Sequence, residues 1–353
     1  MPPDPETRPE PAPRLPAVVT AGDRAAAKHV RGESKPYLAI EGRPLVAHVV
    51  ATLQRVPEVS EVWVVGDAAR LAATLEPLRP ELCKPLHVVP QFRNLYENAW
   101  ETYRRLLPGA GPEGRDPVTE DDLDQRVLYL SADIPFATPH EISHFVRLGV
   151  SLGCDYAVGL STERSMQDFY PEAGGAAGIR MAYFNLREGR FRQNNLHLVR
   201  PARLLNRFYI EEMYEHRHQK QFGEIAALAF RLWRTQQGGF RLLGNYLLLH
   251  AASIADRWGW RRIADWIRAA IPIARVERAV SSLLGTRFRF AVTELGGAAV
   301  DIDNDEDYEA ARARFAEWWK RELAKGEARV GPLALPPAAG PPAIDVRPGR
   351  STP

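Results

Sequence analysis

Residues 17–48 read AVVTAGDRAAAKHVRGESKPYLAIEGRPLVAH and carry more structural information than any other stretch of the chain. The apolar run at its start predicts a buried strand that ends near Thr20. A loop of small and basic residues follows, and Gly42-Arg43-Pro44 then precedes a helix with apolar residues at helical spacing. Strand, loop and helix in this order predict an α/β unit whose loop could cradle phosphate groups, because backbone N–H groups approach phosphates where side chains are small.

Five residues of this loop are the candidates for binding a nucleotide. Ala21 and Gly22 are small enough for their backbone to approach phosphates, whereas Arg24, Lys28 and Lys35 supply positive charge. Basic loops that contain glycine are also common on ordinary protein surfaces, so a solvated loop is the alternative interpretation. The order of residues beyond the loop bears on this choice.

The bulk composition excludes several classes of protein. The 353 residues are 45% hydrophobic and 25% charged, which suits one large domain or a domain with an elaboration. A formal net charge of +2 is too close to neutral to indicate a nucleic-acid partner. Two cysteines, Cys83 and Cys154, argue against a disulfide framework and are typical of a reducing compartment. With no signal peptide and no run of about 20 apolar residues, we expect a cytoplasmic protein without a transmembrane segment.

Short apolar strands alternate with helical segments along most of the chain. From 15 to 325 this alternation predicts a three-layer, Rossmann-like α/β domain with a mostly parallel sheet. Residues 1–14 and 326–353 are rich in Pro, Ala and Gly, which predicts disordered tails. Between 203 and 285 the periodicity is almost continuously helical and predicts an insertion. This insertion could be a lid over the ligand, a surface for a homo-oligomer, or a peripheral membrane contact.

A single carboxylate follows the predicted strand 126–131. Asp133 belongs to LYLSADIPF and stands at the strand end, where open α/β sheets bind ligands. Magnesium prefers hard oxygen ligands and usually takes one or two carboxylates together with phosphate oxygens. Asp133 is therefore a candidate metal ligand. The alternative is that it ends the strand or caps the helix that begins near Pro139.

A second acidic stretch, DIDNDED, occupies residues 301–307. It follows predicted strands at 287–293 and 298–300, and a helix is predicted from 308 to 323. Asp303 or Asn304 could simply be the N-cap of that helix, with the later acids favouring its positive end.

Three separated motifs together resemble the MobA-like sugar-phosphate and cofactor nucleotidyltransferases. The motifs are the basic loop ending in Lys-Pro-Tyr-Leu, the Ala-Asp-Ile-Pro after a strand, and the acidic DIDNDED. The resemblance implies a GT-A-type fold and a reaction that joins an NTP to a phosphorylated acceptor, with release of pyrophosphate. It assigns Lys35 to the nucleotide phosphates and Asp133 to Mg²⁺. It makes Asp303 the partner ligand of Mg²⁺, with Asp301 as the less favoured alternative.

The chain departs from the family pattern inside the glycine-rich loop. Ala26 stands where the family has an arginine, and the loop is about two residues longer. Arg24, Lys28 or Arg31 are candidates to replace that charge. In the acidic motif, Asp305 stands where the family has proline.

Two further segments are candidates for substrate recognition. Gln91 and Asn94 could read the nucleotide base, since side-chain amides offer both a donor and an acceptor, although Asn94 could equally cap a helix. Residues 180–207 contain seven arginines and one acid, and in the family this region faces the acceptor. Its candidate acceptor contacts are Arg192, Asn194, Asn195 and His197. A solvated basic surface is the alternative interpretation.

The sequence thus predicts a Mg²⁺-dependent nucleotidyltransferase whose partners are an NTP and an anionic small-molecule acceptor. Lys35, Asp133 and Arg24 are its predicted catalytic residues, and the acceptor phosphate itself attacks, so no protein nucleophile is required. A glycosyltransferase of the same fold is disfavoured because a nucleotide-sugar needs no cradle for a leaving pyrophosphate. A degenerate relative that binds nucleotide and regulates a partner is kept open by the altered loop.

Overall fold

The computed structural model describes residues 14–22, 29–172, 174–175, 177–206, 271–334 and 344–347. Arg24 and Lys28, residues 1–13 of the predicted tail 1–14, and residues 207–270 of the predicted insertion lie outside these ranges. The described part of the insertion includes one helix, which begins at Ile273.

The strands of the described residues are β1 (Leu15–Ala21), β2 (His29–Val30), β3 (Glu33–Ser34), β4 (Ala39–Ile40), β5 (Arg43–Pro44), β6 (Val59–Gly66), β7 (Leu86–Pro90), β8 (Val127–Ser131), β9 (Tyr156–Thr162), β10 (Phe184–Leu186), β11 (Gly189–Val199), β12 (Phe288–Thr293) and β13 (Ile344–Val346). The α-helices are α1 (Leu45–Gln54), α2 (Ala68–Leu75), α3 (Leu95–Leu106), α4 (Glu120–Asp124), α5 (Pro139–Ser151), α6 (Ile273–Leu284) and α7 (Asp305–Val330). Short 3-10 turns cover Lys35–Tyr37, Glu76–Glu81, Glu163–Phe169, Pro201–Arg203 and Gly297–Ala299.

One mixed sheet organises the fold, in the order β12-β9-β11-β8-β1-β6-β7-β13, with β10 paired to β11. The central strand β1 is parallel to β6 and β8, β7 is parallel to β6, and β12 is parallel to β9. Strand β11 is antiparallel to both β8 and β9, so β9 and β12 run in the same direction as β8. The carboxyl ends of β1, β6, β8 and β12 therefore lie at one edge of the sheet, where ligands bind in such folds.

Alternating residues of β1 face two different cores. Val19 packs with residues of α1, α2 and α5, whereas Val18 packs with Trp63 and with Tyr103 of α3. Both valines are fully buried because helices cover both faces, which is typical of parallel sheets. The predicted α/β fold with a mostly parallel sheet and flanking helices is confirmed.

The C-terminal part of the chain corrects the sequence-based boundaries. Helix α7 begins at Asp305 and continues to Val330, so a disordered tail from 326 is wrong for its first residues. Gly326 explains the extension, because a Cβ there would lie 2.6 Å from His140 Cβ, and this close approach lets α7 pack on α5. Residues 344–346 form β13, which pairs in parallel with β7 instead of being disordered. The predicted strand 298–300 is a 3-10 turn.

The described residues also bear on the expectations about membrane spans and disulfides. No helix there is long and apolar enough to cross a membrane. Cys83 and Cys154 are both free thiols, as expected for a chain without a disulfide framework. The predicted homo-oligomer or membrane contact of the insertion falls largely on residues 207–270, outside the described part of the chain, and stays a prediction.

Candidate functional site

Three charged side chains meet at the carboxyl edge of the sheet. Lys35 begins the short turn after β3, and its Nζ donates to Asp303 Oδ1 at 2.6 Å and to Asp133 Oδ2 at 3.2 Å. The side chains of Lys35 and Asp133 are 17% and 14% exposed, whereas that of Asp303 is 50% exposed. The structure thus brings together the three residues predicted from the three motifs.

Asp133 is positioned by the end of β8. The hydroxyl of Ser131 donates to Asp133 Oδ1, and the Asp133 backbone oxygen accepts from the Ile302 N–H at 3.2 Å. The N-cap of α5 is Thr138, whose hydroxyl accepts from the Glu141 N–H at 3.2 Å. The alternative that Asp133 caps this helix is therefore wrong.

The N-cap of α7 is also a different residue from the candidate metal ligand. Asn304 Oδ1 accepts from the Asp307 N–H at 2.9 Å, and Asn304 Nδ2 donates to Asp307 Oδ2 at 2.7 Å. Of the two caps considered from the sequence, Asn304 is the correct one. The Asp303 carboxylate faces Lys35 just before the helix begins.

A third carboxylate, Asp301, lies in the same cluster with an arginine partner. Arg192 of β11 donates from Nη2 to Asp301 Oδ1 at 2.6 Å and from Nε to the Ala299 oxygen at 2.7 Å. Burial raises the pKa of Asp301, and the charges of Asp133 and Asp303 raise it further, against the opposing effect of Arg192. The predicted acceptor contact Arg192 is therefore at the site, where its guanidinium holds a carboxylate.

The ammonium of Lys35 stays protonated despite its burial. Burial lowers its pKa, but the charges of Asp133 and Asp303 and the hydrogen bonds to them outweigh this effect. The net result is a pKa above the usual value of lysine. A fixed positive charge therefore sits beside the phosphate-loop candidates.

The carboxylates also suit a divalent cation by the chemistry of their donor atoms. One Nζ contacts both Asp133 and Asp303, so the two carboxylates face the same cation. Among the described residues, no group of three or more histidine, cysteine or carboxylate side chains is arranged so that it could hold a metal ion. Two carboxylate oxygens without histidine or cysteine match Mg²⁺, which takes its remaining ligands from phosphate and water.

Small and amide residues meet where β1 and β6 end. A methyl group at Gly22 would lie 3.5 Å from Gln91 Oε1 and 3.8 Å from Asn98 Nδ2. A Cβ at Gly66 would lie 2.5 Å from the Ala21 oxygen, so glycine is required for this close approach. The predicted nucleotide-binding residues Ala21, Gly22 and Gln91 are thus neighbours at the ligand edge.

Two other predicted loop residues, Asn94 and Arg31, make hydrogen bonds within the protein. Asn94 caps α3, with its Oδ1 accepting from the Glu97 N–H at 2.8 Å, so the capping alternative is correct. Arg31, a candidate to replace the missing arginine, donates from Nε to Glu309 Oε1 at 3.0 Å. Its backbone N–H donates to Asp305 Oδ1 at 2.8 Å, so Arg31 ties the loop to α7.

The remaining predicted acceptor contacts are mostly structural. Asn194 is 1% exposed, and its Oδ1 accepts from the Leu196 N–H at 3.2 Å inside a bulge of β11. His197 Nδ1 is 2.9 Å from the Tyr156 hydroxyl oxygen, and burial lowers its pKa to about 4. Asn195 Nδ2 donates to the Ala298 oxygen at 3.4 Å, behind the acidic segment. Asn194 is thus held within the fold, and the roles of Asn194 and His197 toward an acceptor stay predictions.

Sequence reasoning left two residues of the site unassigned. Ser131 orients the Asp133 carboxylate, and its position at the end of β8, two residues before Asp133, was the available signal. Asn98 accepts from the Phe92 N–H at 2.6 Å and thereby fixes the loop after Gln91. Nothing local in the sequence distinguishes Asn98 from other polar helix residues, since only the sheet brings it to Gly22.

Comparison with known proteins agrees with this geometry. Residues 17–168 match the family model of the MobA-like NTP transferase domain. A 2-C-methyl-D-erythritol 4-phosphate cytidylyltransferase from Chlorobium luteolum is 26% identical over 123 residues, which are 35% of this chain and 48% of that protein. The chain therefore spans about half the length of this curated relative.

One solved structure shows a similar fold. A hypothetical transferase from Thermus thermophilus superposes with a TM-score of 0.50 at 21% identity, over 84% of this chain and 99% of that chain. A 4-diphosphocytidyl-2C-methyl-D-erythritol synthase from Anaerococcus prevotii has a TM-score of 0.42 at 12% identity, over 86% of this chain and 99% of that chain.

Fold and site together define a Rossmann-like α/β scaffold with a charged site at the carboxyl edge of its sheet. Residues 17–168 of this scaffold match the model of the MobA-like NTP transferase domain, in agreement with the resemblance stated from the motifs. Lys35 and Asp133 lie inside the matched segment, whereas Asp303 reaches the site from outside it.

Proposed function

We propose that the protein transfers a nucleoside monophosphate from an NTP to a phosphorylated small molecule and releases pyrophosphate. The observation that carries the proposal is the contact of one protonated lysine with two carboxylates from distant parts of the chain. A lysine between two hard-oxygen ligands beside a small-residue loop is suited to a nucleotide's phosphates and their cation.

The proposed reaction needs no covalent intermediate on the protein. An oxygen of the acceptor phosphate attacks the α-phosphorus of the NTP, and the bond between that phosphorus and the bridging oxygen to the β-phosphate breaks. The electron pair of the broken bond leaves with pyrophosphate. Lys35 would neutralise charge on the phosphates, and the backbone around Ala21 and Gly22 would let them approach.

Asp133 and Asp303 would hold Mg²⁺, with Asp301 close by. When bound, Mg²⁺ neutralises phosphate charge and orients phosphate oxygens. Ser131 fixes the Asp133 carboxylate, while Arg192 keeps Asp301 in place. Arg24 and Lys28 stay predicted phosphate contacts. The curated cytidylyltransferase relative supports CTP as the first nucleotide to test.

Thermal unfolding with each NTP, with and without Mg²⁺, tests the proposal. A ligand at 100 times its Kd stabilises the native state by about 2.7 kcal/mol, so binding is measurable. We expect stabilisation by one NTP only when Mg²⁺ is present, and loss of this shift in Asp133→Ala. Asp116→Ala is the control, because the Asp116 side chain is 77% exposed and pairs with Arg104 away from the site.

Product analysis completes the test and separates the alternatives. Release of pyrophosphate from the stabilising NTP, dependent on a phosphorylated acceptor, would support the transferase. Stabilisation by a nucleotide-sugar in preference to every NTP would replace the proposal with a glycosyltransferase. No shift with any nucleotide would refute the proposal and favour a regulatory or scaffolding role.

A further inference from the structure

A short turn between β12 and the acidic segment controls where the second set of carboxylates lies. The 296–299 turn, defined here as residues Gly296 to Ala299, leads directly into Asp301 and Asp303. It packs against the loop after Asp133, because a Cβ at Gly297 would lie 2.0 Å from the Phe136 oxygen. The position of this turn therefore sets how the acidic segment meets the Asp133 loop.

Two buried glutamates from different helices accept hydrogen bonds from this turn. Glu141 of α5 accepts from the Ala298 N–H at 2.9 Å through Oε2, and it is 1% exposed. Glu322 of α7 accepts from the Gly296 N–H at 3.3 Å through Oε2, and it is also 1% exposed. Backbone N–H groups of a turn are seldom satisfied by two buried acids, since burying a carboxyl group is costly. Such an arrangement indicates that the position of the turn matters.

The opposite side of the turn is held by residues of β11. Asn195 donates to the Ala298 oxygen at 3.4 Å, and Arg192 donates to the Ala299 oxygen at 2.7 Å while also holding Asp301. Acceptors from the two glutamates and donors from β11 thus hold neighbouring peptide groups of the same turn. The clamp continues into the site through the hydrogen bond from Ile302 N–H to the Asp133 oxygen.

The charges around the two glutamates are unequal. Glu322 Oε1 pairs with Lys325 Nζ at 2.6 Å, and Lys325 also pairs with Asp168 at 2.6 Å. Glu141 Oε1 has no hydrogen-bond partner among the described residues. Burial raises the pKa of Glu141 well above its usual range, and the neighbouring charge of Glu322 acts in the same direction. Among the described residues, Glu141 therefore meets the turn through Oε2 without an ion pair like the one between Glu322 and Lys325.

We propose that Glu141 and Glu322 are positioning residues, which hold the 296–299 turn and thereby fix the carboxylates that follow it. They touch neither substrate nor the reacting atoms. Their importance for catalysis rests on the proposed function, whereas their hold on the turn is a property of the fold. The two parts of the proposal can be measured separately.

Amide hydrogen exchange tests the hold without any nucleotide. Glu141→Leu keeps a side chain of similar volume but removes the acceptor oxygen. We therefore expect the amide hydrogens of the peptide covering 296–303 to exchange at least tenfold faster than in the wild type. Glu141→Gln keeps an acceptor oxygen and should exchange within threefold of the wild type. Glu58→Leu is the matched control, because Glu58 is fully buried and paired with Arg147 at the opposite edge of the sheet.

Metal titration tests the consequence for the site. In Glu141→Leu we expect the half-saturating Mg²⁺ concentration, measured by calorimetry with CTP, to rise at least tenfold, about 1.4 kcal/mol. The KM for the NTP should change less than threefold while kcat falls, and Glu141→Gln should restore both. Glu58→Leu should lower the unfolding temperature without changing the Mg²⁺ requirement.

A second variant covers the case in which Glu141→Leu does not fold. Gly297→Ala displaces the same turn, because the added Cβ would lie 2.0 Å from the Phe136 oxygen and 2.9 Å from Glu141 Oε2, and it should raise the Mg²⁺ requirement in the same way. The inference would be overturned if Glu141→Leu exchanged its amide hydrogens at the wild-type rate. It would also be overturned if Gly297→Ala had the same Mg²⁺ requirement as the wild type. If the wild type binds no nucleotide with Mg²⁺, the proposed function fails, and the exchange rates still decide whether the glutamates hold the turn.

Discussion

Replacing Lys35 by methionine should change catalysis and metal binding in opposite directions. The substitution keeps an unbranched side chain of similar length but removes the ammonium that contacts Asp133 and Asp303. If both carboxylates bind Mg²⁺, the lysine competes with the free metal for the same oxygens. Without it, metal should bind more tightly in the absence of nucleotide, although the charge needed by the phosphates is lost.

The magnitudes follow from the two contacts. A hydrogen bond to a charged group contributes about 1.5–3 kcal/mol when buried, and Asp303 is half-exposed, so its bond belongs at the low end. Competition of this size predicts metal binding that is about tenfold tighter in Lys35→Met, or about 1.4 kcal/mol. Loss of a charged donor at the transferred phosphate should lower kcat by about 10²–10³.

The assay uses Mn²⁺ as the probe, followed by water proton relaxation without nucleotide, and pyrophosphate release with CTP. Lys84→Met is the matched control, since Lys84 is also buried but donates to the Leu53 and Val56 oxygens at the end of α1. It should lose stability and keep the wild-type affinity for Mn²⁺. Weaker Mn²⁺ binding in Lys35→Met, or unchanged kcat, would refute the reasoning.

Three further predictions concern stability and pH. The pKa of His197 is about 4 in the folded state and near 6.5 unfolded, so stability should fall by about 3 kcal/mol between pH 6.5 and 4; urea unfolding should show a smaller fall in His197→Phe. Hydrogen bonds from Arg287 lower the pKa of Asp155 to about 2, which stabilises the fold above pH 4 by about 2 kcal/mol. Asp155→Asn should lose this stabilisation at pH 7 but not at pH 2. Equal losses of stability at pH 7 and pH 2 would contradict the prediction. Arg192→Lys should raise the pKa of Asp301 further, so the acidic limb of the pH–rate profile should move to higher pH and kcat should fall about tenfold.

Apolar periodicity predicted the sheet because the residues of each strand themselves carry the apolar pattern of a buried strand. The apolar runs before Thr20 and before Asp133 become β1 and β8, which pair in parallel. Carboxyl ends of parallel strands meet at one edge, so a carboxylate after a strand was already a site candidate. The acidic motif needed the family resemblance in addition, since a helix cap explains such residues equally well from local pattern alone.

The same local reasoning was wrong where burial depends on partners far along the chain. Asn194 stands in a basic, polar segment, yet β11 runs between two strands, and Asn194 is buried at the bulge of β11. The C-terminal strand β13 was predicted as disordered because its own composition is rich in proline and glycine. It is ordered by hydrogen bonds to β7, which no local pattern encodes.

The sequence by itself determined the alternation of strands and helices, the small basic loop, and three charged motifs in order. These depend on residues close together in the chain, where backbone preference and apolar spacing act. Only the tertiary structure decided that Lys35 bridges Asp133 and Asp303, that Arg192 holds Asp301, and that buried glutamates grip the turn between them. Such contacts follow from strand order and helix packing, because the folded chain brings together groups that the sequence keeps far apart.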